Sequence, residues 1–133
     1  VRTLEIHPFQ TLKEILAGMP YRAKQSFWRI GVFREFNGEA MFEIAEEGTS
    51  ELEKLLNSQN LVSFDTIEQI SGDCGQVIWA SFFCYDDRDT ESLWMRVNAI
   101  DSSFWTVDTI DQKALSEVEN TFENVRDGSH YEY

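Results

Sequence analysis

His7 and His130 are the two histidines of this 133-residue chain, and Cys74 and Cys84 are its two cysteines. Neither histidine falls in a metal-ligand spacing such as His-x-x-x-His, and neither lies near a Ser or Cys in a recognisable nucleophile motif. Both read as ordinary exposed histidines. Cys74 sits in a polar turn between Gly72 and Gly75, so it is accessible, but no neighbouring base lowers its pKa. Cys84, between Phe83 and Tyr85, reads as a small buried hydrophobe. There is no glycine-rich phosphate loop, and acids are too abundant for spacing to single out a glycosidase pair. No catalytic residue, cofactor or metal is assigned on these grounds, and the expectation is a protein that is not an enzyme.

Aromatic and charged residues carry the stronger signal. Asp86-Asp87-Arg88-Asp89-Thr90-Glu91 invites a cation, yet it lacks a glycine-containing ligand loop and reads better as a charged turn that discourages edge pairing. Trp28, Trp79, Trp94 and Trp105 each fall on an expected strand, Trp28 and Trp79 reading as core. Alternation puts Trp94, Arg96 and Asn98 on one strand face. Facing inward, the polar members need partners; facing outward, Trp and Arg are residue types that dominate binding hot spots. The candidate partner-binding set is therefore Trp94, Arg96 and Asn98, with the acids Asp86, Asp87 and Asp89 at the turn and Glu117, Glu119 and Glu123 on the last helix. Replacing Trp94 and Arg96 by alanine is expected to weaken binding and spare the fold.

The net charge is −13, unevenly spread. Residues 1–36 carry six bases against three acids, whereas residues 37–133 carry five bases against 21 acids. Binding to nucleic-acid backbones or anionic membranes needs a basic footprint, so both are disfavoured and a basic protein partner is favoured. The two cysteines make no disulfide framework, no apolar run approaches a membrane span, and the first residues lack a signal peptide's apolar core. A cytoplasmic location is the expectation.

The elements that must position these residues centre on 76–100. Two apolar runs rich in β-branched and aromatic residues, Gln76–Tyr85 and Ser92–Ile100, flank the acidic turn and predict a long antiparallel hairpin. The first run is apolar on both faces, so it must be covered from both sides. Before it come an edge strand at Arg2–Ile6, a helix opened by the capping box Thr11-Leu12-Lys13-Glu14, and a basic connector at Tyr21–Gln25. Ser26–Glu35 and Ala40–Glu46 then form a hairpin, with a bulged Phe36-Asn37-Gly38 loop pairing Val32 with Phe42 and Ile30 with Ile44. Ser50-Glu51-Leu52-Glu53 is a second capping box, opening a helix that buries Leu52, Leu55 and Leu56. Leu61–Ser71 is read as a strand, with a helical turn capped by Asp65 as the alternative. After the central hairpin come a short strand at Phe104–Val107 and an acidic amphipathic helix over Asp111–Arg126, with Ala114, Leu115, Val118, Phe122 and Val125 along its apolar stripe.

The expected fold is thus a single α+β domain, residues 1–133, with a mostly antiparallel sheet of about five to seven strands, three helices packed against it, and a flexible tail at 128–133. A domain of this length buries roughly two-thirds of its unfolded surface, enough for a real core. The leading functional expectation is an acidic inhibitor or immunity-type protein covering a basic toxin or nuclease. The alternatives are a secretion-type chaperone or adaptor, which predicts a homodimer, and a small-ligand binder or enzyme with an aromatic pocket. Mimicry of nucleic acid by rows of carboxylates ranks below the first two.

Overall fold

The computed structural model describes residues 1–34, 38–45 and 51–128. Its elements are β1 (Arg2–His7), α1 (Leu12–Ala17), α2 (Tyr21–Lys24), β2 (Phe27–Gly31), β3 (Phe33–Arg34), β4 (Ala40–Met41), β5 (Glu43–Ala45), α3 (Glu51–Ser58), β6 (Val62–Ser63), α4 (Phe64–Ser71), β7 (Gln76–Tyr85), β8 (Leu93–Ile100), β9 (Phe104–Thr109), α5 (Gln112–Thr121) and β10 (Asn124–Asp127). The fold is α+β, and its main sheet is larger than the sequence suggests. Among the described residues that sheet has eight strands in the order β10-β1-β9-β8-β7-β2-β6, with β5 also on β7, and every pairing is antiparallel.

The β7–β8 hairpin is the middle of this sheet, as expected. Register defines two faces. Leu4, Val107, Val97, Phe82 and Ile30 lie opposite one another across five strands, and so do Ile6, Trp105, Ala99 and Ala80 across four. These residues join the apolar sides of the helices in one core: Leu12, Ile15 and Leu16 of α1, Leu52 of α3, Phe64 and Ile67 of α4, Ala114, Leu115 and Val118 of α5. The opposite face carries the rows Glu5-Thr106-Asn98-Ser81 and Thr3-Asp108-Arg96-Phe83, polar except for Phe83.

Local chemistry explains the helix starts. Thr11 and Glu14 form the expected capping box. The second box lies partly outside the described residues, and of the helix it was to open only Leu52 is fully buried, Leu55 and Leu56 being partly so. Leu61–Ser71 departs from the strand reading. Only Val62 and Ser63 pair, and the Ser63 hydroxyl then accepts from the Thr66 amide to start α4, so Ser63 rather than Asp65 is the cap.

The first hairpin is also shorter than expected. Phe33 pairs with Met41, the register foreseen for a three-residue loop, and Gly38 takes the left-handed φ of 85° that such a turn requires. Ile30, however, pairs with Phe82 and Ile44 with Val77, because both arms turn onto β7. The basic connector is a single helical turn, α2.

The last helix is not the long one expected over 111–126. It spans Gln112–Thr121, Phe122 is extended, and β10 follows, pairing with β1. Continued helix would leave the outer backbone groups of β1 unpaired, and pairing satisfies them. β1 is consequently an inner strand rather than an edge. With α2 and α4 the described residues contain five α-helices, against the three helices expected.

Candidate functional site

The start of α2, both sides of the β7–β8 turn and the start of α5 meet at the turn end of the central hairpin. Pro20 opens α2, from which Arg22 projects. Asp86 follows β7, and its amide donates to Ser92 O at 3.2 Å, closing the turn. Trp94 is the extra residue of a bulge in β8: Cys84 faces Met95 and Tyr85 faces Leu93, so Trp94 has no opposite number. Asp111 is the N-cap of α5, its Oδ1 accepting from the Ala114 amide at 3.1 Å.

At the meeting point the Arg22 guanidinium lies over the Trp94 ring, 4.1 Å from its centre. Its Nε donates to Asp86 Oδ1 at 2.9 Å, Nη2 to Asp86 Oδ2, and Nη1 to Asp111 Oδ2 at 2.8 Å. The Asp86 hydrogen bond foremost, with that to Asp111, pushes the Arg22 pKa further up, and the hydrogen bond from Arg22 holds the Asp111 carboxyl below the usual range. Beside this cluster opens a cleft of about 510 Å³, lined on its apolar side by Leu93, Trp94, Met95 and Ile110 and on its polar side by Arg22, Asp86, Glu91, Arg96 and Asp108. Leu93 is 46% exposed and Ile110 70% exposed, which makes them two of the four strongly exposed large hydrophobic residues among those described.

The bulge separates Trp94 from its expected companions. Its indole N–H donates to Ser26 Oγ at 2.9 Å and the ring belongs to the helix-side core, whereas Arg96 and Asn98 belong to the polar face. Asn98 is fully buried: its Oδ1 accepts from Ser81 Oγ at 2.6 Å, and its amide donates to Thr106 Oγ1 and Asp108 Oδ2 at 3.0 Å each. Arg96 Nε donates to Asp108 Oδ2 at 2.9 Å, and its side chain keeps 28% exposure at the edge of the cleft. The inward alternative of the sequence reading is therefore the one realised for Asn98, with its partners supplied by β7 and β9. Replacing Trp94 and Arg96 together would remove a core side chain and a buried carboxylate's partner, so that double variant would not spare the fold.

The acidic candidates separate into distinct places. Asp86 takes Arg22, while Asp87 Oδ1 accepts from the Asp89 amide at 2.8 Å and Asp89 Oδ1 from the Glu91 amide at 3.0 Å, so both shape the turn. Glu117 accepts from the Tyr21 amide at 3.2 Å, tying α5 to α2. Glu119 pairs with Arg2 at 3.3 Å, and it and Glu123 line a separate groove between α5 and β10. Among the described residues no three His, Cys, Asp or Glu side chains are grouped to hold a metal ion, and no helix is long and apolar enough to cross a membrane.

His7 is not the exposed histidine expected. Its Nε2 is 2.8 Å from Glu5 Oε1 and its ring stacks on Phe104 at 4.8 Å, while His130 lies outside the described residues. Cys84 is buried, which pushes its thiol pKa up, and Cys74 is half-buried with Sγ 3.6 Å from Ser71 O.

Arg22, Asp108 and Asp111 were absent from the sequence-derived set. A signal for Asp108 existed: a three-residue loop at 101–103 places Asn98 opposite Thr106 and Arg96 opposite Asp108, the register observed. No local pattern announces Arg22 with Asp86, Trp94 and Asp111. No protein-family model, curated protein or solved structure matches the chain.

Proposed function

We propose that this chain is a protein-binding module whose partner is a basic protein, in the manner of an inhibitor or immunity protein that masks a toxin or nuclease. The observation that carries the reading is the cleft at the end of the central hairpin. There Leu93 and Ile110 stand out from a rim of ionised side chains, an apolar centre with a charged border, as in protein interfaces. The net charge of −13 would steer a basic partner toward it and speed association. Arg22 and Trp94, side by side at the cleft, are of the two residue types most enriched among binding hot spots together with Tyr.

The test is capture by the tagged protein from a lysate of its native host at low and moderate salt, with the retained proteins identified by mass. One basic protein, held tightly and lost slowly as salt rises, is the expected result. Failure to retain any protein above a tagged control would sink the reading.

One observation favours a second reading. A cleft of about 510 Å³ lies within the range of small-molecule sites, roughly 300–1,000 Å³. On that reading a metabolite would seat against Trp94 and raise the melting temperature, and a small-molecule thermal-shift screen decides it. A dimer in sedimentation would instead favour the chaperone alternative.

A further inference from the structure

The Arg22 guanidinium occupies a cradle whose walls are built by other segments. A ring face and two carboxylates meeting a guanidinium at its edges select arginine over lysine, because an ammonium has neither the planar face nor the fork of donors. Each wall is also fixed by bonds that do not involve Arg22. The Trp94 indole is held by Ser26 at 2.9 Å, and the Trp94 carbonyl accepts from Thr109 Oγ1 at 2.7 Å. Asp111 caps α5 through its other oxygen, and its amide donates to Thr109 Oγ1 at 3.1 Å. Asp86 is held through its backbone in the hairpin turn. Arg22, by contrast, reaches in from a four-residue turn, and its side chain is 41% exposed.

We propose that Trp94, Asp86 and Asp111 form an arginine-recognition site that Arg22 fills in the free protein, and that an arginine of the basic partner replaces Arg22 on binding. This rests on the protein-binding reading above and names the group by which that partner is recognised. Exchange of one guanidinium for another leaves both carboxylates paired, so it uncovers no buried charge. The strongly exposed Leu93 and Ile110 lie beside the cradle, where the residues flanking the incoming arginine would cover them. Because Arg22 is tethered, it competes at an effective concentration of about millimolar order, so a lone arginine binds the native protein weakly. A partner that also covers Leu93 and Ile110 supplies the contacts that tip the exchange. The arrangement is therefore a filter against isolated arginine residues.

The experiment titrates N-acetyl-arginine amide and N-acetyl-lysine amide into the native protein and into Arg22→Ala, following the Trp94 indole N–H resonance. Arg22→Ala is expected to bind the arginine probe at least about tenfold more tightly than the native protein does, with the lysine probe weaker and the gain lost in Arg22→Ala combined with Asp86→Asn. Equal affinity of the two proteins for the arginine probe, or no saturable binding to either, would make Arg22 a structural brace and overturn the proposal. If Arg22→Ala does not fold, a hexa-arginine peptide is added to the native protein and the Arg22 Nε–H is watched instead. Faster exchange of that proton with water supports displacement, and unchanged exchange at saturation overturns it. The two readings remain distinguishable, since a lysate that yields no partner alongside a positive titration removes the protein-masking role and leaves the arginine site standing.

Discussion

Replacing Asp108 by alanine should cost this protein about 3 kcal/mol, although the residue lies on the sheet face turned away from the helices. Its carboxylate is 6% exposed and accepts from Thr3 Oγ1 at 2.6 Å, Asn98 Nδ2 at 3.0 Å and Arg96 Nε at 2.9 Å. Thr3 and Asn98 are themselves buried, so each donor loses an acceptor that water cannot readily replace, at about 1–3 kcal/mol apiece. Arg96 is 28% exposed, and solvent takes up part of its loss, so its share is discounted below that of a fully buried pair. Relief of the carboxylate's own burial returns some of the total, which leaves the net near ~3 kcal/mol. For a domain of this length each kcal/mol moves the melting temperature by about 4 °C, so the expected fall is about 12 °C. Urea unfolding with an unchanged m-value is the second readout. Thr3→Val removes a single donor and should cost about 1 kcal/mol. A melting point for Asp108→Ala within about 2 °C of the native protein would refute the view that this network is an integral part of the fold.

Other outcomes follow from the same contacts. Leu115→Ala should destabilise by about 2–5 kcal/mol in a denaturant titration, because its side chain is fully buried where α5 meets the sheet. A methyl group at Gly18 would meet the Phe122 ring, so Gly18→Ala should cost about 1–3 kcal/mol, and Gly18→Ala with Phe122→Leu should recover part of it. Asp111 has a folded-state pKa lowered by the Arg22 hydrogen bond, so its stabilisation is fully present above its unfolded value of about 4 and is lost as pH falls through the lower folded value. Melting points measured from pH 7 down to pH 3 should therefore drop less steeply for Asp111→Asn than for the native protein. With a net charge of −13, moderate salt near pH 7 should raise the melting temperature, and a fall would mean that ion pairs such as Arg22 with Asp86 outweigh the repulsion.

What could be read from the chain was what short-range chemistry decides. The β7–β8 hairpin was legible because two long runs of β-branched and aromatic residues flank a charged turn, and α1 because Thr11 and Glu14 cap each other. The end of α5 was not. Val118, Phe122 and Val125 keep helical spacing, and β10 forms because β1, more than a hundred residues earlier, offers an edge to pair. The sequence alternation of β8 was read correctly for Arg96 and Asn98, but the bulge that diverts Trp94 depends on how β7 and β8 meet beyond Cys84. The Arg22 cradle was illegible for the same reason: its parts come from positions 22, 86, 94 and 111, and only the folded sheet brings them together.

The most direct test of the protein-binding account is the affinity of the captured partner for the native protein and for a Leu93→Asp, Ile110→Asp double variant. Both positions are exposed, so the variant should keep its melting temperature within about 2 °C. The account predicts at least about thirtyfold weaker binding, the loss of a single interface hot spot. Unchanged affinity in the folded variant would place the interface elsewhere and contradict the account.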